Sequence, residues 1–399
     1  MARDKLKKYW FISEYYWPND NSTGHIITRI IDAFTKEYKV NILTIGNINA
    51  EERNQNTSTI RLKEGMYLDK NNSLQRLAKL IILSFRMSNI LLMSVKKNDV
   101  IISVTNPAFM PVFLAVIKYI KKIKLVIIVH DLFPENLVIG QYIYRKSILY
   151  KITKKMFNYA YKKADTVISC GRDMQRILKQ KVSDGGKIYF IPNFADTDIL
   201  YPMEKKQNVI IKELQLENKL VVLFTGSIGR LQNIDNILNT VEILKNDDSI
   251  FFLFVGEGIH KDKIINYSKI MNNIYHINNM PREKAQIFLN AGDIGISSLL
   301  PDMLGVGVPC KTYSYMAAGK PIIAFMNNKS EIAMMIQEEG NGWIVDPNKP
   351  ERLAELLSQL KNDYEQIKEK GDISYRLSKT KYSIKNITEK YINLITNTY

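Results

Sequence analysis

The sequence predicts an α/β protein built from two doubly wound, Rossmann-like domains that face each other across a cleft. Three observations support this fold class. The chain has 399 residues, which is enough for two domains with substantial cores. Short apolar runs alternate with helical patterns in both halves, as in successive β-α-β units. In the second half, glycine-containing loops follow several of the predicted strands, at the end where open parallel sheets bind ligands.

The first domain is predicted to comprise residues 1–193 and to begin with a strand at residues 9–13. A loop then leads into a helix whose apolar pattern starts near His25. Ser22, Thr23 and Gly24 lie at the entry to this helix. Their hydroxyl and backbone groups suit a plain N-cap as well as a site for an anion or a hydroxyl group, and the pattern leaves both open.

Farther along the first domain, a buried strand at residues 125–129 ends in His130 and Asp131. An imidazole and a carboxylate at the carboxyl end of a parallel strand lie where ligands bind in this fold class. A lone histidine is usually structural, but this position makes His130 a candidate functional residue. A last strand at residues 188–193 runs into a linker, and we place the domain boundary there.

The second domain is predicted to comprise residues 194–378, and an amphipathic helix at 379–399 is predicted to pack back on the first domain. The first strand of the second domain ends in a loop with Gly226, Gly229 and Arg230. Its second strand ends in a turn with Gly256 and Glu257. Together with the stretch described next, these glycine-rich loops are expected to form one rim of the cleft, with Arg230 as a cation.

Residues 305–325 form the most informative stretch. A loop with Gly305 and Gly307 runs through Val308 and Pro309 into a helix that must begin near Lys311, and a buried strand follows at residues 322–325. The first backbone N–H groups of a helix lack partners inside the helix, so its N-terminus attracts anions. Lys311 adds a formal charge at that point, and the stretch predicts a cradle for a diphosphate. An ordinary loop-helix-strand joint is the alternative.

The net charge of +16 is distributed unevenly. Residues 1–200 contain 32 Lys+Arg and 17 Asp+Glu, whereas the remaining residues contain 24 and 23. The basic first half therefore predicts an anionic partner. Residues 74–95 carry a basic stripe on an otherwise apolar helix, and residues 142–163 interleave lysine with tyrosine; both patterns suit an anionic membrane surface, with a buried or a solvated helix as the alternative. No nucleic-acid-binding motif is recognisable, and no nucleic acid is expected.

The sequence also bears on the cellular location and on metals. It has no signal-peptide core and no uncharged apolar run of about 18 residues, so we expect a cytoplasmic protein. The two cysteines lie far apart, which suits a reducing compartment. Asp196 and Asp198 form an Asp-x-Asp pair, but it lies in a hinge without further ligands. No metal and no cofactor are expected.

Several motifs, in order and spacing, resemble those of the retaining glycosyltransferases of family 4, which have the GT-B architecture. The motifs are IPN (191–193), FTGSIGR (224–230), FVGEG (254–258), AGDIGIS (291–297) and GVGVPCKTYSYMAAGKP (305–321). HDLFPE (130–135) is similar to a motif of the L-fucosamine transferase-like branch of O-antigen and capsule assembly. The resemblance covers nearly the whole chain.

The resemblance implies a hexosyltransferase-type enzyme that binds a nucleotide-sugar in the second domain and an acceptor in the first. Arg230 and Lys311 would hold the donor diphosphate, and His130 would contact the transferred sugar near its anomeric centre. The implied donor-binding residues are Gly226, Gly229, Arg230, Gly256, Glu257, Pro281, Gly307, Val308, Pro309, Lys311 and Thr312. The implied acceptor- or sugar-binding residues are Ser22, Thr23, Gly24, His130 and Asp131. In such enzymes a donor phosphate oxygen is thought to receive the acceptor proton, and no metal is needed.

The sequence departs from the family pattern in the loop after Arg230, where a frequent lysine is missing and Gln232 lies nearby, and at two positions in or beside the 305–321 stretch. Many members carry two glutamates where this chain has Leu304 and Ser314. We therefore keep three hypotheses: a transferase that moves a sugar, such as an N-acetylated amino or deoxy sugar, from a UDP-linked donor to a lipid-linked saccharide at the inner face of the membrane; a catalytically silent subunit that supports a partner transferase; and a non-hydrolysing UDP-sugar epimerase.

Overall fold

The computed structural model of the protein describes residues 8–19, 21–63, 73–182 and 185–398, excluding the side chains of residues 73, 74 and 76. Its contacts divide the chain into two compact units. Unit 1 comprises Met1–Pro192, Gly305–Val308 and Ile387–Tyr399, and unit 2 comprises Asn193–Leu304 and Pro309–Asn386. The short segment Gly305–Val308 thus belongs by its contacts to unit 1, although in the chain it lies between two parts of unit 2.

Unit 1 is built on a seven-stranded parallel sheet. Its strands are β1 (Tyr9–Ile12), β2 (Val40–Ile45), β3 (Thr57–Leu62), β4 (Val100–Val104), β5 (Lys124–Val129), β6 (Thr166–Ser169) and β7 (Ile188–Phe190). Its helices are α1 (Ser22–Phe34), α2 (Ser73–Ser94), α3 (Met110–Lys121), α4 (Glu135–Ile139), α5 (Ile148–Lys163) and α6 (Arg172–Lys181). The strand order is β3-β2-β1-β4-β5-β6-β7, so the direction of winding reverses between β1 and β4.

Unit 2 is built on a six-stranded parallel sheet. Its strands are β8 (Leu220–Thr225), β9 (Ile250–Val255), β10 (Ile274–Ile277), β11 (Ile294–Ser298), β12 (Ile322–Phe325) and β13 (Gly342–Val345). Its helices are α7 (Val209–Glu213), α8 (Ile234–Ile243), α9 (Lys261–Ile270), α10 (Ala285–Leu289), α11 (Lys311–Ala317), α12 (Glu331–Glu339), α13 (Pro350–Leu360) and α14 (Tyr364–Lys379); α15 (Ile384–Thr398) ends the chain. The order β10-β9-β8-β11-β12-β13 places the reversal between β8 and β11.

The inner strands of both sheets form because they are short, apolar and buried on both faces, as expected for parallel sheets covered by helices. Every residue of β8 and β9 is buried, and these strands pair in register over their whole length. The core of unit 2 includes side chains from both strands together with the inner faces of α8 and α13. The predicted α/β class with two doubly wound sheets is confirmed.

Helix ends show where local chemistry differs from the apolar pattern. The first helix begins at Ser22, three residues before His25, because Asn21 is the N-cap and accepts a hydrogen bond from the Gly24 N–H at 2.8 Å. At the C-terminus, the helix expected at 379–399 begins later, at Ile384. α14 ends at Lys379, and α15 starts at Ile384 after Ser383, whose hydroxyl accepts from the Asn386 N–H.

Candidate functional site

In unit 2, the loops that follow β8, β9 and β10 are held together by backbone hydrogen bonds. The Gly226 N–H donates to Val255 O at 2.8 Å, and the Ile228 N–H donates to Glu257 O at 2.8 Å. The Gly256 N–H in turn donates to Ile277 O at 3.0 Å. The two glycine loops predicted from the sequence therefore share the carboxyl edge of one sheet.

The close approach of these loops explains why glycine occupies position 256. A Cβ added to Gly256 would lie 1.9 Å from Gly226 O, a distance that the backbone excludes. The His276 ring contributes from the next strand, because its Nε2 lies 2.9 Å from Gly256 O. Any larger residue at 256 would push the β8 loop away from the β9 loop.

The predicted donor-binding residues of these loops differ in exposure. Arg230 is half-buried at the end of the β8 loop. The carboxylate of Glu257 is exposed and accepts a hydrogen bond from Lys261 Nζ at 2.9 Å, and this bond holds the pKa of Glu257 below its usual value. Pro281 is exposed just before a short 3₁₀ turn that follows β10.

The loop after β11 joins the same edge, on the other side of the point where the winding reverses. The Leu300 N–H donates to Leu231 O at 2.9 Å, which ties this loop to the β8 loop. The Tyr315 hydroxyl accepts from the Thr225 N–H at 2.9 Å, which ties α11 to the end of β8. A crevice of this kind, between the first strands of the two halves of a doubly wound sheet, is where ligands bind in such folds.

Lys311 is the first residue of α11, as the sequence predicted, and its side chain is unusual. Its Nζ lies 3.3 Å from the centre of the Phe224 ring, which is a cation–π geometry. This atom is buried and has no hydrogen-bond partner among the residues that the structure describes. Burial lowers the pKa of Lys311 to about 7, so its charge is poised to change near neutral pH.

One expectation about this helix is wrong. The first backbone N–H groups of α11 were expected to be unpaired, but the Thr312 N–H donates to Pro309 O at 3.3 Å and the Tyr313 N–H donates to Cys310 O at 3.1 Å. A tight first turn therefore consumes these donors locally. The Thr312 side chain is also buried, with its hydroxyl 2.9 Å from the Ser297 hydroxyl. Anion binding at this point would rest on the Lys311 side chain.

In unit 1, His130 and Asp131 follow β5 directly, and Thr105 after β4 orients them. The Thr105 hydroxyl accepts hydrogen bonds from the N–H groups of both residues, at 3.2 Å each. His130 Nε2 is buried and lacks a hydrogen-bond partner within the described ranges. Burial lowers the pKa of His130 to about 4, so the imidazole is neutral near pH 7.

Asp131 has the opposite shift. Burial raises the pKa of its carboxyl to about 6, against the effect of a hydrogen bond from Asn136 Nδ2 at 3.0 Å. The carboxylate is therefore ionised at pH 7 but takes up a proton just below it. A neutral imidazole can accept a hydrogen bond from a hydroxyl group, and so can an ionised carboxylate.

The segment Gly305–Val308 packs against this part of unit 1. Asp131 and Gly307 form an isolated antiparallel bridge, and the Leu132 N–H donates to Val306 O at 2.8 Å. The Gly305 N–H donates to Asp173 Oδ2 at 3.0 Å. The glycine loop of the 305–321 motif is thus fixed directly beside the HDLFPE motif, with Gly307 next to Asp131 and Val308 following it in the chain.

Ser22, Thr23 and Gly24 lie elsewhere along the same sheet edge. They begin α1, which follows β1, whereas His130 follows β5; one strand, β4, separates β1 from β5. Two strand spacings correspond to roughly 10 Å between the strand axes. The sequence thus predicted residues on one edge of this sheet, and their roles in binding an acceptor stay predictions.

Comparison with known proteins decides the family. Residues 26–199 match the family described as Glycosyltransferase Family 4, and residues 206–376 match Glycosyl transferases group 1. The chain is 32% identical over 360 residues to the probable glycosyltransferase WbjE of Pseudomonas aeruginosa, which covers 89% of this chain and 90% of WbjE. This protein belongs to the glycosyltransferases.

Solved structures place this glycosyltransferase in the GT-B fold. HepE of Anabaena, solved in complex with UDP, superposes with a TM-score of 0.71 and 12% identity, covering 98% of this chain and all of HepE. WaaG, a glycosyltransferase involved in lipopolysaccharide biosynthesis, superposes with a TM-score of 0.66 and 14% identity, covering 97% of this chain and 99% of WaaG. The predicted GT-B fold is confirmed. The prediction that the protein is a glycosyltransferase with a family 4 domain is also confirmed.

Sequence reasoning missed three residues that organise the candidate sites. Phe224 was quoted only as the first residue of the FTGSIGR motif, although its ring lies under Lys311. Tyr315 links α11 to β8 through its hydroxyl. The Asp173 carboxylate accepts a hydrogen bond from the Gly305 N–H, although the two residues are 132 positions apart in the sequence. No local pattern signals such contacts, because each joins residues from distant elements.

The helix at 74–95 is half embedded in unit 1. Leu83, Met87 and Leu91 of α2 are buried, whereas Ile82 and Phe85 are about half exposed. The segment Leu77–Ser94 is long and apolar enough to cross a membrane by length and composition, with two charged residues in the window, and 28% of it is buried. Core helices of soluble proteins pass the same test. Arg76, part of the predicted basic stripe, has a side chain outside the described residues.

Proposed function

We propose that this glycosyltransferase binds a nucleotide-sugar, with UDP as the nucleotide, at the carboxyl edge of the unit 2 sheet. The observation that carries this proposal is the buried, unpartnered Nζ of Lys311 beside the loops of Gly226 and Gly256. A buried cation without a partner favours an anionic ligand, and a diphosphate supplies one. HepE, which shares the fold, binds UDP and UDP-glucose in its solved structures, and this supports the choice of nucleotide.

In this mechanism the donor diphosphate lies between Arg230 and Lys311. Both cations would neutralise the charge that develops on the leaving nucleoside diphosphate as the glycosidic bond breaks. Transfer would proceed with retention at the anomeric carbon, as the resemblance to family 4 implies. A donor phosphate oxygen would accept the proton of the attacking hydroxyl, so neither a metal nor a protein base would be required.

The acceptor side of the reaction is assigned to unit 1. His130, neutral at pH 7, would contact the transferred sugar near its anomeric centre, and Asp131 would accept a hydrogen bond from a sugar hydroxyl. Ser22 and Thr23 would contribute hydroxyl groups beside Gly24, whose own N–H donates to the Asn21 side chain. The acceptor is proposed to be a lipid-linked saccharide of surface polysaccharide synthesis at the cytoplasmic face of the membrane. WaaG, which shares the fold and is involved in lipopolysaccharide biosynthesis, supports the choice of pathway.

The experiment is a calorimetric titration of the purified protein with UDP, GDP, ADP and dTDP, without added metal and then with EDTA. Metal-independent binding of UDP that is lost in Arg230→Ala would support the proposal. Binding of another nucleotide would change the donor class. Binding of none of the four would contradict the donor site and leave the silent-subunit hypothesis, which Leu304 and Ser314 motivate.

Turnover separates the remaining hypotheses. A transferase releases nucleoside diphosphate only when an acceptor is present, whereas an epimerase interconverts the nucleotide-sugar with no acceptor. A silent subunit does neither alone but raises the activity of a partner. Incubation of candidate UDP-sugars with and without lipid extracts, followed by chromatography of the nucleotide, distinguishes the three.

A further inference from the structure

The helix α3, which lies outside both segments assigned to a membrane surface from the sequence, is apolar on its inner and outer sides. Met110, Leu114 and Ile117 face the core and are buried. On the outer side, Val116 is 51%, Tyr119 is 83% and Ile120 is 56% exposed. An exposed apolar stripe of this kind, at helical spacing, marks an interaction surface.

This stripe is the centre of a larger surface, because α3 packs against α2 on one side and α5 on the other. The Phe85 ring of α2 lies 6.2 Å from the Phe113 ring of α3 in an edge-on contact. We call the outward sides of these three helices the three-helix face. Its exposed apolar side chains are Ile81, Ile82, Phe85, Met93, Val116, Tyr119, Ile120, Ile148, Leu149, Ile152, Met156 and Tyr159.

The charge of the three-helix face has one sign. The sequences of α2, α3 and α5 contain three, two and five basic residues, and none contains Asp or Glu. Lys151, Lys154 and Lys155 are exposed on α5, beside the exposed Ile152 and Met156. Lysine stems that cover apolar surface while their ammonium groups reach water are typical of interfaces with anionic lipid headgroups.

We propose that the three-helix face is a single bilayer-contacting surface for anionic lipid, in which the outer stripe of α3 enters the acyl region while the lysines of α5 bind headgroups. The occupant is a membrane rather than a second copy of the chain, because two such faces would bring lysines against lysines. The buried side of α2 keeps that helix lying along the unit instead of across the bilayer. This inference rests on the proposed function, in which the acceptor is lipid-linked. A surface that contacts the bilayer would bring this acceptor within reach of the proposed acceptor site in unit 1.

The test is flotation of the full-length protein with phosphatidylcholine vesicles that either contain or lack phosphatidylglycerol, with no donor or acceptor present. The variant Val116→Ser/Tyr119→Ser/Ile120→Ser removes the outer stripe of α3. We expect this variant to bind the anionic vesicles about a hundredfold more weakly at both low and high salt. The loss should not depend on salt because the variant removes the burial of apolar side chains in the bilayer and no charge. A second variant, Lys151→Gln/Lys154→Gln/Lys155→Gln, should bind the anionic vesicles more weakly by about fivefold per lysine at low salt. At high salt its affinity for the vesicles should change little.

A matched control comes from unit 2, where Val209, Ile243 and Ile270 are 46%, 50% and 76% exposed. Their triple change to serine should leave vesicle binding unchanged. Thermal melting and UDP titration of every variant report whether the fold and the donor site are intact. Vesicle binding that persists in the α3 variant overturns the proposal. Self-association in sedimentation velocity that is abolished by the α3 variant also overturns it, in favour of a protein interface. Loss of UDP binding with intact vesicle binding would refute the proposed function alone.

Discussion

The Nζ of Lys311 lies 3.3 Å from the centre of the Phe224 ring and has no hydrogen-bond partner among the described residues. The Phe224 ring is the contact that holds the Lys311 ammonium group at the carboxyl edge of the unit 2 sheet. A phosphate bound there would accept hydrogen bonds from this group and favour its protonated form. If the donor binds as proposed, its binding is therefore coupled to a change in the protonation of Lys311.

Replacing Lys311 with methionine should lower the rate of sugar transfer by about two orders of magnitude, because it removes one cation from the leaving diphosphate. Acceptor-dependent release of nucleoside diphosphate measures this rate. Lys320→Met is a matched control, since burial also lowers the pKa of Lys320, to about 8, but this residue precedes β12 at the opposite edge of the sheet. An equal loss in both variants would contradict a specific role for Lys311.

Donor binding should take up a proton at pH 8. In the free protein Lys311 has a pKa of about 7 and is mostly neutral at pH 8, whereas a bound diphosphate favours its protonated form. Binding enthalpies measured in buffers of different ionisation enthalpy should show an uptake approaching one proton at pH 8 and little at pH 6. If Lys311→Met took up as many protons as the unchanged protein, the assignment would be wrong.

His130 should make the protein sensitive to acid. Its pKa is about 4 in the folded protein and 6.5 as the ordinary value, so the unfolded chain binds more protons between these pH values. The free energy of unfolding should therefore fall as the pH is lowered from 6.5 to 4, by on the order of 2 kcal/mol relative to His130→Gln. Urea titrations of both proteins at several pH values measure the difference; parallel curves would count against a buried neutral imidazole.

Gly256→Ala should abolish nucleotide binding while the core of the protein stays folded. The added Cβ would lie 1.9 Å from Gly226 O, so the β8 and β9 loops must separate and the edge of the sheet loses its shape. Calorimetry with the nucleotide that the unchanged protein binds tests this. Gly185→Ala serves as the control, because the nearest atom to its new Cβ is 3.8 Å away. Retained affinity in Gly256→Ala would show that the loops tolerate separation.

Gly305→Ala should destabilise the protein and misplace the loop that leads to Lys311. Gly305 has φ +71°, and its added Cβ would lie 2.5 Å from Ile177 Cδ1 and 3.0 Å from Asp173 O. We expect a loss of about 1–3 kcal/mol in the free energy of unfolding, measured with urea. Asp173→Ala, which leaves the Gly305 N–H without its acceptor, should cost about the same. Asp173→Asn keeps an acceptor oxygen and should retain most of the stability.

Much of the fold could be read from local sequence. Runs such as residues 220–225 and 250–255 are apolar, short and followed by glycine loops, so their assignment as parallel strands needed no tertiary information. The start of α11 at Lys311 was predicted because Pro309 comes just before a single short helix and the small residues at 317–319 end it. The helix α3 was not predicted because it has only two charged residues, both in its last turn, and such a sequence lacks the continuous polar face that marks a surface helix.

Local sequence determined the α/β class, the two sheets, the glycine loops and the identity of the charged residues at the strand ends, because strand burial and turn chemistry act over a few residues. Only the tertiary structure decided that Phe224 lies under Lys311, that Asp173 holds Gly305, and that three separate helices present one basic and apolar face. These relationships join residues far apart in the chain, and only the packing of whole elements against the sheets brings them into contact.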